Sequence, residues 1–256
     1  MARRTPDGPP PPPVVQRVRI RYAKRGRLRF ASHRDLARAL ERALRRAEVP
    51  MAFSAGFTPH PKISYVGAAP TGAASEAEYL EIGLAERRAP EAVRAALDAA
   101  LPEDIAVLEA VEAAEGGGSL ADRIDAAVWR IELPGLQPGE LAAAVAAFLE
   151  KDAVVVPRRT KNGLRDVDAR AAVSRASAGG GAGCAILQVV VRQVTPAVRP
   201  DDVLAALAAV ADLRPPSPSR AVREAQGRLD DNGTVADPLG PDRAARTRCQ
   251  GERAAV

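Results

Sequence analysis

Two short stretches hold the residues best suited to chemistry: Ser32-His33-Arg34-Asp35 and Pro59-His60-Pro61-Lys62. They contain both histidines of the chain. An imidazole can act as general base or acid near neutral pH, and an adjacent lysine can stabilise a negatively charged phosphoryl transition state. His33, His60 and Lys62 are the candidate catalytic set for acid–base chemistry at a phosphate. The same groups also suit plain anion contact. His33 falls in the first turn of an expected helix, where backbone amides attract anions, and the prolines around His60 restrict its backbone.

These stretches lie in the most basic part of the chain. From Arg17 to Lys62 there are 13 Lys/Arg against 3 Asp/Glu, although the whole chain carries only +5. A local excess of this kind points to a polyanion, most often nucleic acid. Only four basic residues are lysines, namely Lys24, Lys62, Lys151 and Lys161. In an Arg- and Ala-rich composition they stand out, and Lys24, Lys62 and Lys161 fall in expected turns. The sequence suggests that these three converge on one anion site. The expected anion-binding set is Lys24, Arg25, Arg27, Arg34, Arg38, Arg42, Lys62 and Lys161.

The elements that must position these residues are legible in the pattern. Arg17–Ala23 alternates, with Val18, Ile20 and Tyr22 inward and Arg17, Arg19 and Arg21 outward. Lys24-Arg25-Gly26 reads as a turn, and Arg27–Phe30 as resumed alternation with Phe30 in the core. Ser32 opens a helix with Asp35 at the reciprocal capping position. Leu36, Leu40, Leu44 and Ala47 form its apolar stripe, and Arg34, Arg38, Arg42 and Arg45 form a second stripe. Extended segments, a strand over Glu78–Leu84, a helix over Pro90–Leu101 and a strand over Ile105–Val111 complete a βαββαβ order. Glu81 faces outward and is placed to pair with a strand arginine. Tyr79 points the same way, toward packing or base stacking.

A second cycle follows. It comprises a strand over Ala127–Leu133, a helix over Gly139–Glu150, a strand over Ala153–Thr160, a hairpin at Asn162-Gly163 with a returning strand from Leu164, a strand over Cys184–Val194 and a helix over Pro200–Leu213. The fold class expected is α+β, with two tandem ferredoxin-like subdomains. Residues 1–14 form a disordered Pro-rich arm, 15–113 the first subdomain, 114–124 a linker, 125–213 the second subdomain and 214–256 a polar, mostly disordered tail with room for a short closing strand near Ala221–Ala225. Gly179–Gly183 reads as flexible.

Several function classes are not indicated. No apolar run reaches the length of a transmembrane helix, the N-terminus lacks a signal-peptide core, and a cytoplasmic location with no membrane partner is expected. Gly179–Gly183 is followed by neither Lys-Ser/Thr nor a helix, so it is no P-loop. The two histidines with Asp35 do not complete a metal-ligand spacing. No metal and no cofactor is expected.

Arg29-Phe-Ala-Ser-His-Arg-Asp-Leu-Ala-Arg-Ala-Leu-Glu-Arg-Ala-Leu-Arg-Arg-Ala47 and Gly56-Phe-Thr-Pro-His-Pro-Lys62 resemble the radical-SAM-linked protein family in its stand-alone form. Thr160-Lys-Asn-Gly163, with Val167-Asp168, is similar to that family's later basic turn. The chain departs from it at Val66–Gly72, where relatives carry a more apolar stretch. The resemblance implies a partner role in RNA or cofactor chemistry, beside a radical-SAM protein or an RNase E/G-type ribonuclease. The chain is not itself a radical-SAM enzyme. Such an enzyme needs three closely spaced cysteines for its cluster, and only Cys184 and Cys249 are present. Three roles stand as expectations: an RNA-binding accessory protein; a metal-independent endoribonuclease using His33 and His60, by analogy alone with the tandem ferredoxin-like CRISPR repeat-processing enzymes; or a protein-docking scaffold.

Overall fold

The computed structural model describes residues 11–161, 163–181 and 183–254, with side chains up to residue 248. The chain forms two compact units. One comprises residues 1–71, 77–122 and 238–256, and the other 72–76 and 123–237.

The first unit opens with β1 (Gln16–Lys24), α1 (His33–Arg46), β2 (Ile63–Val66), β3 (Ala74–Leu84), α2 (Pro90–Ala100) and β4 (Ile105–Glu112). Its strands lie in the order β4-β1-β3-β2. β1 runs antiparallel to β4, and β2 antiparallel to β3 with Tyr65 opposite Leu80. Alternation in β1 works as read: Val18, Ile20 and Tyr22 enter a core shared with Leu36, Leu40 and Leu44 of α1, Leu80 and Ile82 of β3, and Leu97 of α2. Burial of these side chains, each contributing about 1.5–3 kcal/mol relative to exposure, fixes which face of α1 turns inward.

Arg27–Phe30 departs from the expected strand. Gly26–Phe30 is a short 3₁₀ turn, and Phe30 is exposed rather than in the core. Gly26 has φ +47°, and a Cβ there would strike the Asp104 carboxylate. That carboxylate instead accepts the Arg27 amide at 2.8 Å, while the Asp104 carbonyl accepts the Arg25 amide. The turn is thus tied to the start of β4, which prevents the strand from continuing.

The second unit contains β5 (Ala126–Pro134), α3 (Pro138–Leu149), β6 (Val155–Thr160), β7 (Gly163–Asp168), α4 (Ala169–Ala172), β8 (Val173–Gly181), β9 (Cys184–Arg192), α5 (Pro200–Ala211), β10 (Arg220–Leu229) and β11 (Val235–Ala236). Its main sheet has the order β10-β5-β9-β8, with β6 and β7 forming a separate hairpin. Ala74 and Ser75, at the start of β3, pair in parallel with Val222 and Arg223 of β10, which makes the sheet mixed.

Three expectations change here. The strand over Ala153–Thr160 forms the expected hairpin with the chain after Gly163, but this hairpin is a sheet of its own, and the main sheet has β8 in its place. The Asn162 of its turn lies outside the described residues. Gly179–Gly181, read as flexible, is the end of β8 and pairs with Cys184–Ile186. Gly180 is required there, because with φ +126° a Cβ would sit 2.3 Å from the Cys184 carbonyl oxygen. The tail over 214–256 is more ordered than expected: the closing strand near Ala221–Ala225 falls within the longer β10, and β11 and α6 (Gly240–Ala254) follow, with α6 in the first unit. The Pro-rich arm expected over 1–14 lies outside the described residues through Pro10, and residues 11–15 have no regular structure. The domain boundaries therefore differ from those read in sequence, because both units draw on distant segments. No described helix is long and apolar enough to cross a membrane.

Candidate nucleic-acid interface on the first unit

The N-terminus of α1 is built as the sequence suggests. Ser32 has extended backbone dihedrals, its Oγ accepts the Asp35 amide at 3.2 Å, and its hydroxyl donates to Asp35 Oδ2 at 2.6 Å. This cap satisfies an amide that the helix would otherwise leave without a partner. The Ser32 hydroxyl, with the charges of Arg38 and Arg34, holds the Asp35 carboxyl below its ordinary pKa.

Arg34, Arg38, Arg42 and Arg45 are all exposed. At 100° per residue they fall within about 80° of one another, on the face opposite Leu36, Leu40 and Leu44. From Arg34 to Arg45 the row runs about 16 Å along the helix. Among the described residues no salt bridge engages any of the four. Arg25 and Arg27 are exposed at the preceding turn, and the Arg29 guanidinium lies 4.6 Å from the Phe30 ring centroid. Phe30 is 59% exposed, and Phe53 and Phe57 are 41% and 72% exposed. Exposed aromatics thus accompany an exposed row of cations.

The strand cations behave differently. Arg19 is 2% exposed. Its Nε donates to Glu81 at 2.9 Å, its Nη1 to both oxygens of Asp242 at 3.0 Å, and its Nη2 to the Gly118 carbonyl at 2.5 Å. Burial opposes its charge, but the hydrogen bonds and charges of Glu81 and Asp242 outweigh this and raise its pKa. Arg17 shares Glu81 at 2.9 Å. The expected role of Glu81 is met twice over, since it engages both arginines. Asp242 had no recognisable signal in the sequence, because it lies 223 residues from its partner in a stretch read as disordered.

Lys24 and Lys62 do not meet. Lys24 is buried, with its Nζ 3.4 Å from the Ala69 carbonyl oxygen and 3.5 Å from that of Pro70. Lys62 is exposed beside Gly83, where an added Cβ would also touch Val14. Lys24 ends β1 and Val14 precedes it, so the two lysines lie at opposite ends of a strand about 25 Å long. Lys161 is exposed in the hairpin of the other unit.

The histidines are likewise separated. The His33 ring packs edge-on against Tyr65, with centroids 5.1 Å apart, at the N-terminal end of α1. Burial pushes the Tyr65 pKa up, assisted by the charge of Glu41. His60 is exposed in a loop before β2, where its amide donates to Ser54 Oγ at 3.0 Å and its carbonyl accepts the Ser54 amide at 2.8 Å. Its neighbour Pro61 shares a cavity wall with Arg45, near the C-terminal end of α1. α1 is about 21 Å long, so the two imidazoles stand near opposite ends of it and cannot act as an acid–base pair on one phosphate. This arrangement follows from β2 starting at Ile63, after the Pro-His-Pro segment. Tyr79, read as facing away from Leu80 and Ile82 toward packing or base stacking, is 3% exposed, which fits packing. Among the described residues no three of His, Cys, Asp and Glu gather as a metal site.

Fold and surface define an α+β protein with a solvent-facing cationic helix. The chain belongs to the family described as an uncharacterized protein conserved in bacteria (DUF2344), whose model matches residues 17–200. No curated protein matches it. Among solved structures it is similar to an unknown protein from Galdieria sulphuraria, at 14% identity over 83% of this chain and 99% of that one. The TM-score of that match is 0.24.

Proposed function

We propose that this chain is an RNA-binding accessory protein that holds an RNA phosphate backbone along α1 and works with a partner enzyme. The observation that carries this is the row of Arg34, Arg38, Arg42 and Arg45, exposed and without salt-bridge partners among the described residues. Arg25, Arg27 and Lys62 extend the field at either end of the helix, while Lys24 serves inside the fold. An anionic chain is the ligand that neutralises such a row, and the exposed phenylalanines favour one that also offers rings. The fold assigned to each unit is ferredoxin-like, the second carrying the β6–β7 hairpin as an insertion. The strand orders β4-β1-β3-β2 and β10-β5-β9-β8 support this. A partner enzyme of radical-SAM or RNase E/G type is supported by the sequence resemblance alone.

The test is RNA binding across a salt series, measured by fluorescence anisotropy with labelled oligoadenylate. Four neutralised phosphates contribute roughly 0.7 each, giving a slope of log K on log salt of about −3. Binding that is absent, or that does not respond to salt, overturns the proposal.

A further inference from the structure

We infer that the RNA held by α1 is single-stranded and that one of its bases enters an apolar pocket at the C-terminal end of this helix, against Phe53. This rests on the RNA-binding reading above and adds a base subsite to it. The pocket is walled by Leu44, Met51, Phe53 and Pro61, with the exposed Glu41 and Arg45 also in its lining, and encloses about 170 Å³. That is well below the roughly 300–1,000 Å³ of clefts that take drug-sized ligands. It suits one flat ring system and not an extended cofactor.

Charge identifies the occupant. Arg45 belongs both to the pocket and to the exposed row. A chain whose phosphates follow Arg34, Arg38 and Arg42 therefore arrives at the pocket mouth. Single-stranded RNA presents a ring at every phosphate, whereas a duplex keeps its rings stacked inside. Phe53 lines the cavity yet is 41% exposed. Such an aromatic leaves apolar surface in water until a ring covers it. Phe57 is 72% exposed in the same loop, which the Ser54–His60 hydrogen bonds close, and it offers a second stacking surface for the next base. Glu41 can accept a hydrogen bond from an exocyclic amino group, and Arg45 can donate to ring acceptors.

The experiment compares labelled oligoadenylate with an RNA duplex of equal length, using the full chain, F53A and R42A. Circular dichroism confirms that each variant is folded. Single-strand affinity is expected to exceed duplex affinity and to fall about tenfold in F53A, as the loss of one stacked base implies. Duplex affinity should be unchanged in F53A. R42A should weaken both RNAs and flatten their salt dependence. If F53A binds oligoadenylate as the parent does while R42A weakens it, the base subsite is wrong and the phosphate-binding reading survives. If no RNA binds the parent chain, both fail. Sedimentation at several concentrations supplies a further arm. A dimer lost in F53A with RNA affinity unchanged overturns the inference in favour of a second copy of this chain as occupant.

Discussion

The strand cations and the helix cations of the first unit have similar side chains but opposite surroundings. Arg19 on β1 is buried between Glu81 and Asp242, and Lys24 at the end of β1 is buried against the Ala69 and Pro70 carbonyls. Arg34, Arg38, Arg42 and Arg45 on α1 meet solvent without salt bridges among the described residues. Positive charge in a sequence window therefore mixes two uses. One set holds distant segments together, and the other remains free to meet a ligand. Counting charges cannot separate the two, because the separation depends on which carboxylates the fold delivers.

Substitutions can break this comparison. The largest expected effect is on stability, at the Arg19–Asp242 contact. D242A leaves a buried guanidinium short of its partner and is expected to cost roughly 3–5 kcal/mol, read from urea unfolding. The double variant R19M/D242L should recover much of that loss. If D242A unfolds at the same urea concentration as the parent, α6 does not hold the first unit in the way described.

Next in size is the helix row. Replacing Arg34, Arg38, Arg42 and Arg45 together by Ala is expected to move the salt slope of RNA binding from about −3 toward zero. The urea midpoint should barely change, because exposed charges contribute little to folding. An unchanged slope would mean that the ligand, if RNA, lies elsewhere.

Lys24→Met sharpens the same division. The Ala69 and Pro70 carbonyls lose a donor, which should destabilise by about 1–3 kcal/mol. RNA affinity should stay at the parental value. A variant that folds normally but loses RNA binding would place Lys24 with the ligand-binding set.

The smallest effects lie at the start of α1. Ser32→Ala removes the cap and should cost about 1 kcal/mol. Asp35 has a lowered pKa in the folded chain. Its contribution is therefore present above the unfolded carboxylate value of about 4 and is lost as pH falls through the lower folded value. Asp35→Asn should flatten the thermal midpoint over that acid range and leave it unaltered in shape near neutrality. A parental acid response in the variant would show that the Ser32–Asp35 contact is not maintained in solution.

Much of the local structure was legible in sequence. The alternation in β1, the Ser32 cap, the two stripes of α1 and the Pro-led start of α2 all depend on residues a few positions apart. The helix face of the candidate site was legible for the same reason. The Phe30 environment was not, since Asp104 bends the chain into a 3₁₀ turn. Nor was the division of the histidines, which depended on whether the second strand ended before Phe57 or, as found, lay within Lys62–Ala68. The Gly179–Gly181 segment misled because glycine permits both a mobile loop and the close strand approach seen at Gly180.

Sequence alone determined the periodicities, and through them the burial of Leu36, Leu40 and Leu44 and the outward course of the α1 arginines, because burying apolar surface orients a helix by itself. Only the tertiary structure decided which cations remained available. A charge is neutralised by whatever carboxylate or carbonyl lies within a few ångströms, and for Arg19 that partner arrives from the far end of the chain.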